Sequence, residues 1–293
     1  MDGLAAAMVG VERMGLMATR KFYKMSGSGN DFVVFDAREV AVGALEDAVV
    51  IQALCARGTG VGADGVVFME PAGEEEEEEG ASFRMRYFNS DGSAGAMCGN
   101  AALCMTRLAA YLGAAPPEDM RFQTDSGILS ARIAGALPEV DLQAAQEVRP
   151  DVDLRKEPSE QRIGYVLMGV PHVVVLTDGV DGIDVIERGR RIRMDPSLRP
   201  DGANVNFVAP KPDGSWAIRT YERGVEGETL ACGTGAISSA ILLNSWGASG
   251  AETTFTTRSD RPVVVRLKRD GSFWLPTLRG QGRLVFTGEL ADR

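Results

Sequence analysis

The sequence predicts an α+β fold of two homologous β-rich halves, each a shell of strands wrapped round a central buried helix. Three observations predict it. The chain repeats itself, short β-branched runs recur in the same order in each copy, and each copy reaches a cysteine followed by a stretch almost free of charge. With 293 residues, 44% of them apolar, the chain can bury a core in each half.

The repeat is read from four anchors in the same order. Gly29-Asn30-Asp31-Phe32-Val33-Val34 matches Gly169-Val170-Pro171-His172-Val173-Val174 at an offset of 140, and Ala63-Asp64 matches Ala203-Asn204 at the same offset. Tyr87-Phe88-Asn89 matches Thr220-Tyr221-Glu222 at 133, and Cys98-Gly99 matches Cys232-Gly233 at 134. The halves expected from this are residues 21–141 and 142–293. Residues 1–20 precede the first convincing strand, lack the apolar core of a signal peptide, and are expected to be a disordered extension or an overcalled start.

Each half opens with strands: Phe32–Phe35, Val66–Met69 and Phe83–Phe88 in the first, Val173–Leu176, Val205–Val208 and Trp216–Tyr221 in the second. Helices follow the cysteines. Ala101–Leu112 holds one charge, Arg107, and Ala236–Trp246 holds none, so each must be buried all round, with Gly113 and Gly247 as the stops. The acidic run Glu74–Glu79, between two strands, reads as a solvated loop. The polar segment from Pro138 to Arg162 reads as the crossover between halves. Gly60-x-Gly62-x-x-Gly65 matches a dinucleotide-binding fingerprint in letters, but it leads into a strand instead of opening a helix, so no such site is expected.

Composition narrows the function. The net charge of −10 speaks against nucleic acid or an anionic membrane as partner, although removing the six glutamates of one run leaves only −4. No apolar run approaches the roughly 18 residues of a membrane span. Cys55, Cys98, Cys104 and Cys232 are dispersed, with no C-x-x-C pair and His172 as the sole histidine. That pattern suits neither a disulfide framework nor a structural metal site, and no metal is expected. Reduced thiols in a cytoplasm are the simplest reading.

Two of the cysteines suggest a chemistry. Cys98-Gly99-Asn100 and Cys232-Gly233-Thr234-Gly235 each stand at the start of a buried helix, where unpaired N–H groups and the positive dipole end favour a thiolate and can hold a carboxylate. If a pseudo-two-fold brings both starts to one cleft, a bound amino acid has a sulfur on each face of its α-carbon. One sulfur can remove a proton and the other return one from the opposite side, while the helix amides stabilise the carbanion. The alternatives are small buried hydrophobes, the reading adopted for Cys55 and Cys104, or a reversible disulfide between Cys98 and Cys232.

On these residues the chain resembles the diaminopimelate epimerase family, whose enzymes are pyridoxal-independent. The resemblance covers nearly everything after residue 20. It is carried by Met25-x-Gly27-x-Gly29-Asn30-Asp31-Phe32, Gly58-Thr59-Gly60-Val61-Gly62-x-Asp64, Phe88-Asn89-x-Asp91-Gly92-Ser93 and Met97-Cys98-Gly99-Asn100. It continues with Pro171-His172, Ala203-Asn204-Val205-x-Phe207, Tyr221-Glu222-Arg223-Gly224 and Ala231-Cys232-Gly233-Thr234-Gly235-Ala236. The resemblance implies a two-domain diaminopimelate epimerase-like fold, and an isomerase that interconverts LL- and meso-2,6-diaminopimelate without a cofactor. It also implies a homodimer. Cys98 and Cys232 would be the acid/base thiols, and His172 and Glu222 would tune them. Gly99, Asn100, Gly233 and Thr234 would hold the reacting carboxylate. Asn30, Asn89 and Asn204 would contact substrate, with Glu222 and Arg223 at its distal end, where a guanidinium suits a second carboxylate.

The bland readings stay open beside these. His172 can be a satisfied buried ring, and Asn89, Asn100 and Asn204 can be turn residues or caps. The chain also departs from the family pattern. Val170 stands where Asn is common, Gly65 where many members carry Gln, and Ala101-Ala102-Leu103 where Gly-Ala-Arg is usual. The motifs around the reacting centre are whole while the distal set is thinned. A racemase of another amino acid, of histidine or proline type, is therefore the first rival, and a non-catalytic ligand-binding or thiol-redox protein the second.

Overall fold

A computed structural model describes residues 20–95 and 97–291. The extension expected at the N-terminus lies outside the described residues, apart from Arg20, which opens the first strand.

The first half runs β1 (Arg20–Gly27), β2 (Asn30–Asp36), α1 (Ala48–Cys55), β3 (Gly65–Glu70), α2 (Glu74–Glu78), β4 (Phe83–Asn89), β5 (Ala94–Gly95), α3 (Gly99–Leu112), β6 (Met120–Thr124), β7 (Gly127–Ala134) and β8 (Leu137–Asp141). The second runs β9 (Glu147–Arg149), β10 (Glu160–Met168), β11 (Val170–Thr177), α4 (Val185–Arg193), β12 (Asn204–Pro210), β13 (Trp216–Glu222), β14 (Gly227–Thr229), α5 (Gly233–Ser245), β15 (Glu252–Thr256), β16 (Pro262–Asp270) and β17 (Phe273–Arg279). β18 (Arg283–Leu290) closes the chain. All six strands expected from sequence are present, and the two cysteine-led helices start one residue after each cysteine.

The repeat extends to the pairing. β2 and β3 are parallel, as are β11 and β12; β4 and β6 are parallel, as are β13 and β15. The antiparallel pairs β3–β4, β6–β7 and β7–β8 have counterparts in β12–β13, β15–β16 and β16–β17. Counted by position in the repeat, in which β9 follows β8 as β18 follows β17, the halves also exchange a strand. β9 pairs with β10, and its counterpart β18, at the other end of the chain, pairs with β1. The segment 138–162 thus holds β8, β9 and part of β10. β8 also pairs with β17, joining the shells through Val140 opposite Leu278.

Each shell closes on its helix. α3 packs against β1, β4, β7, β8 and β18, and α5 against β10, β11, β12, β15, β16 and β17. Burial removes most of each helix from water, leaving mainly the C-terminal turns with Tyr111 and Ser245 exposed, which is why both sequences carry so little charge. α3 is built of good helix formers and ends on Gly113 with a left-handed φ of 66°. α5 is rich in serine and isoleucine, so its helicity rests on packing more than on propensity. Of its two fully buried serines, Ser239 Oγ donates back to the Gly235 carbonyl at 2.7 Å, whereas Ser238 Oγ has no hydrogen-bond partner among the described residues. A second layer, α1 outside β1–β3 and α4 outside β11–β13, covers each shell's outer face.

One expectation is corrected. Glu74–Glu78 forms a short helix, α2, where a loop was expected. Glutamate is a good helix former and is favourable beside a helix N-terminus, so a run of acids in the first turn does not prevent the turn. Its exposure is as expected.

Candidate active site

Cys98 and Cys232 are the N-caps of α3 and α5, with nearly the same backbone angles: φ −134°, ψ 119° and φ −134°, ψ 112°. Both half-buried thiols line one cavity of about 390 Å³ at the seam of the shells. The helix starts nearly touch there. A Cβ on Gly99 would lie 3.8 Å from the Gly233 Cα, and a Cβ on Gly233 3.6 Å from the Gly99 Cα. Leu278, delivered by β17 and wholly buried, wedges behind both, 3.0 and 3.1 Å from the same two Cβ positions. Glycine at both points leaves room for this close approach, since a Cβ at either would press on the Leu278 methyl group.

Leu278 therefore links core packing to the site. Leu278→Ala is expected to cost about 2–5 kcal/mol of stability and to lower turnover, because the helix starts lose their shared support. A urea melt alongside turnover checks this, and wild-type values for both would contradict the wedge.

Of the residues nominated from sequence, all but one line this cavity: Asn30, Asn89, Gly99, Asn100, Asn204, Glu222, Arg223, Gly233 and Thr234 join the two cysteines. They come from the start of β2, the end of β4, the starts of both helices, the start of β12 and the end of β13. The exception is His172, fully buried behind the wall, whose Nε2 lies 3.0 Å from Thr234 Oγ1. Thr234 Oγ1 is in turn 3.5 Å from Cys232 Sγ.

The asparagines turn out to be both cavity-lining and structural. Asn30 Oδ1 accepts from Asn100 Nδ2 at 2.6 Å, and its Nδ2 donates to Asp64 Oδ2 at 3.0 Å. Asp64 is held by Arg57 at 2.8 Å, and Arg57 also grips Asp31, which pairs with Lys24. Asn89 accepts from the Tyr87 hydroxyl at 2.8 Å and donates to Ser93 Oγ at 3.0 Å, closing the turn whose Gly92 has φ 84°. Asn204 Oδ1 accepts the Arg223 amide at 2.8 Å, fixing the chain at a residue that lines the cavity and whose guanidinium donates to the Asp201 carbonyl at 3.2 Å.

The electrostatics disfavour a resting thiolate. Burial pushes the Cys98 thiol up to about 11 and Cys232 to about 12, and Glu222 adds to both shifts. The helix amides of Ala101 and Asn100 act against this at Cys98, as do Thr234 and the Gly235 amide at Cys232, without overcoming burial. Burial also raises Glu222. Burial, and then the charge of Arg223, depress His172 to about 3, so its ring is neutral.

The sequence reading missed Tyr87, Ser126 and Met168 in the wall, and Leu278, Asn206 and Thr220 behind it. Asn206 had a signal: it lies two residues beyond Asn204 on one strand, hence on the same face, in an otherwise apolar run. Leu278 had none. The departure at Gly65 has a packing reason, since a Cβ there would lie 2.5 Å from the Phe88 carbonyl and 2.7 Å from the Tyr87 ring. Val170 lines the cavity, so the missing asparagine removes a polar group from its wall.

Comparison with known proteins shows which family the chain belongs to. The family model described as diaminopimelate epimerase matches residues 22–146 and 164–273. A diaminopimelate epimerase from Gemmatimonas aurantiaca is 47% identical over 279 residues, covering 92% of this chain and 99% of that protein. One from Aquifex aeolicus is 39% identical, covering 93% and 98%. Among solved structures, a PhzF-family phenazine biosynthesis protein from Bacillus anthracis superposes with a TM-score of 0.74 at 16% identity, covering 94% of this chain and all of that one. A hydroxyproline epimerase from Agrobacterium vitis, with trans-4-hydroxy-L-proline bound, gives 0.65 at 16% identity, covering 94% of each chain. At such identities the two structures speak to the fold alone. The family model and the sequence relatives go further, and by them this chain belongs to the diaminopimelate epimerase family.

Proposed function

We propose that this chain is an isomerase that interconverts LL- and meso-2,6-diaminopimelate by inverting one α-carbon between Cys98 and Cys232, in lysine and cell-wall precursor synthesis. The observation that carries the reading is the meeting of two thiol-capped, buried helix starts in one small cavity. The α-proton of an amino acid is a weak acid, and its removal needs the carbanion charge to be taken up. A carboxylate set between the helix starts would face the amides of Gly99, Asn100, Gly233 and Thr234 and two positive dipole ends. The thiolate of one cysteine takes the Cα proton, leaving the electron pair delocalised into that carboxylate. The thiol of the other gives its proton to the opposite face, so the product departs with the protonation of the two sulfurs exchanged. Arg223 then serves the distal carboxylate, a pairing suited to a bidentate guanidinium.

The substrate name rests on the relatives, which are diaminopimelate epimerases covered almost end to end. Val170 in the wall is the feature that favours a less polar second end, as in a racemase of proline type. Incubation in heavy water with LL-diaminopimelate, proline and histidine in parallel, under reducing conditions, separates these. Label is expected at Cα of diaminopimelate alone. Label entering only another amino acid would replace the substrate, and exchange with none would remove the activity. We also propose a cytoplasmic setting, which the four free thiols suit, and a homodimer.

A further inference from the structure

Asn206 sits in the middle of β12 between Val205 and Phe207, fully buried, where an amide must find partners. Its orientation is fixed by the Val173 carbonyl, which can only accept and lies 3.1 Å from Asn206 Nδ2. Asn206 Oδ1 on the other side takes the Thr220 hydroxyl at 2.9 Å. The second hydrogen of Nδ2 points to His172 Nδ1, 3.2 Å away. Nδ1 must therefore carry no proton, which leaves the proton of the neutral ring on Nε2. Nε2–H then donates to Thr234 Oγ1 at 3.0 Å, and the Thr234 hydroxyl hydrogen is free to turn toward Cys232 Sγ at 3.5 Å. Every donor in the series points toward the sulfur.

We propose that Asn206 is a positioning residue that locks His172 as its Nε2–H tautomer and so, through Thr234, aims a hydrogen bond at Cys232. His172 is on this account a donor and takes no proton from the thiol. The series has no twin at Cys98, where the corresponding helix residue, Asn100, donates its amide to Asn30. The duplicated thiols are thus chemically unequal: the thiolate of Cys232 is supported by a directed hydroxyl. This rests on the two-thiol reading above for its catalytic meaning, although its test does not need turnover.

His172 is the only histidine, so ring-nitrogen resonances of the untagged, isotopically labelled protein belong to it alone. Wild type is expected to show a protonated Nε2 and a bare Nδ1. Asn206→Asp replaces the donor with an acceptor and is expected to move the proton to Nδ1. In a competition with iodoacetamide at fixed pH, mapped by peptide, alkylation of Cys232 should fall about tenfold relative to Cys98, the size of one hydrogen bond to a charged group. kcat should fall with KM little changed. Thr234→Val should lower the same Cys232 ratio while leaving the tautomer as in wild type, which guards against an Asn206 variant that fails to fold. A bare Nε2 in wild type would overturn the proposal. So would Asn206→Asp with unchanged tautomer, or Thr234→Val with an unchanged alkylation ratio. If no amino acid is epimerised while these signatures hold, the proposed function falls and the positioning role stands.

Discussion

Cys98→Ser and Cys232→Ser are each expected to lower kcat by roughly 10²–10⁴-fold, the range set by loss of a positioned acid or base. Serine keeps the N-cap position and much of the volume, so the helix start and cavity should persist. What is lost is a sulfur that gives up its proton far more readily than an alcohol in the same place. Because inversion needs a base on one face and an acid on the other, either single change should stop the reaction in both directions. The double variant should be scarcely worse than the singles, since the two sulfurs act as a unit. Turnover of LL- and of meso-diaminopimelate, with denaturant melts to confirm folding, provides the check. A single serine variant within a few-fold of wild type would mean that one of the sulfurs is a bystander.

The second large effect is on pH. Between about pH 6 and 9, kcat/KM is expected to climb roughly tenfold per unit. The sign follows from the raised thiol values. With Cys98 raised to about 11 and Cys232 to about 12, both sulfurs hold protons at neutral pH, and the competent state is one thiolate facing one thiol. Raising the pH toward the lower value fills that state, and passing the higher one removes the acid partner and lowers the rate. The two sulfurs feel each other's charge, so they titrate as a pair. An arriving substrate ammonium would favour the thiolate, so kcat should respond at lower pH than kcat/KM. Glu222 pushes both thiols up, so Glu222→Gln should shift the pH dependence of iodoacetamide alkylation of the free enzyme downward. A flat profile over this range, or an upward shift in the variant, would contradict this account.

How much of this was legible beforehand can be followed residue by residue. Cys98 and Cys232 were found because duplication leaves the same short pattern, cysteine, glycine, then an uncharged helix, at two places 134 residues apart. The cavity asparagines were nominated through the family resemblance of the motifs that carry them, and Asn206 could have been found from its place two residues beyond Asn204. Leu278 was invisible: it is one leucine among many on an ordinary strand, and its place between two glycines arises only when β17 pairs with β8. The exchange of β9 and β18 was equally hidden, because hydrophobic alternation says that a strand has a buried face and says nothing about which shell accepts its edge. Gly65 reads in sequence as a missing side chain, and its reason is the Phe88 carbonyl and Tyr87 ring that a side chain would strike.

The sequence by itself determined the repeat, the strands, the two buried helices and the cysteine at the start of each, because periodicity, charge-free length and repeated spacing are local properties of a chain. Only the tertiary structure decided that the two helix starts share one cavity, that Leu278 holds them together, and that His172 stands behind Thr234 instead of in the wall. Those facts depend on distances between residues far apart in the chain, and such distances are set by strand pairing and packing that no local pattern encodes.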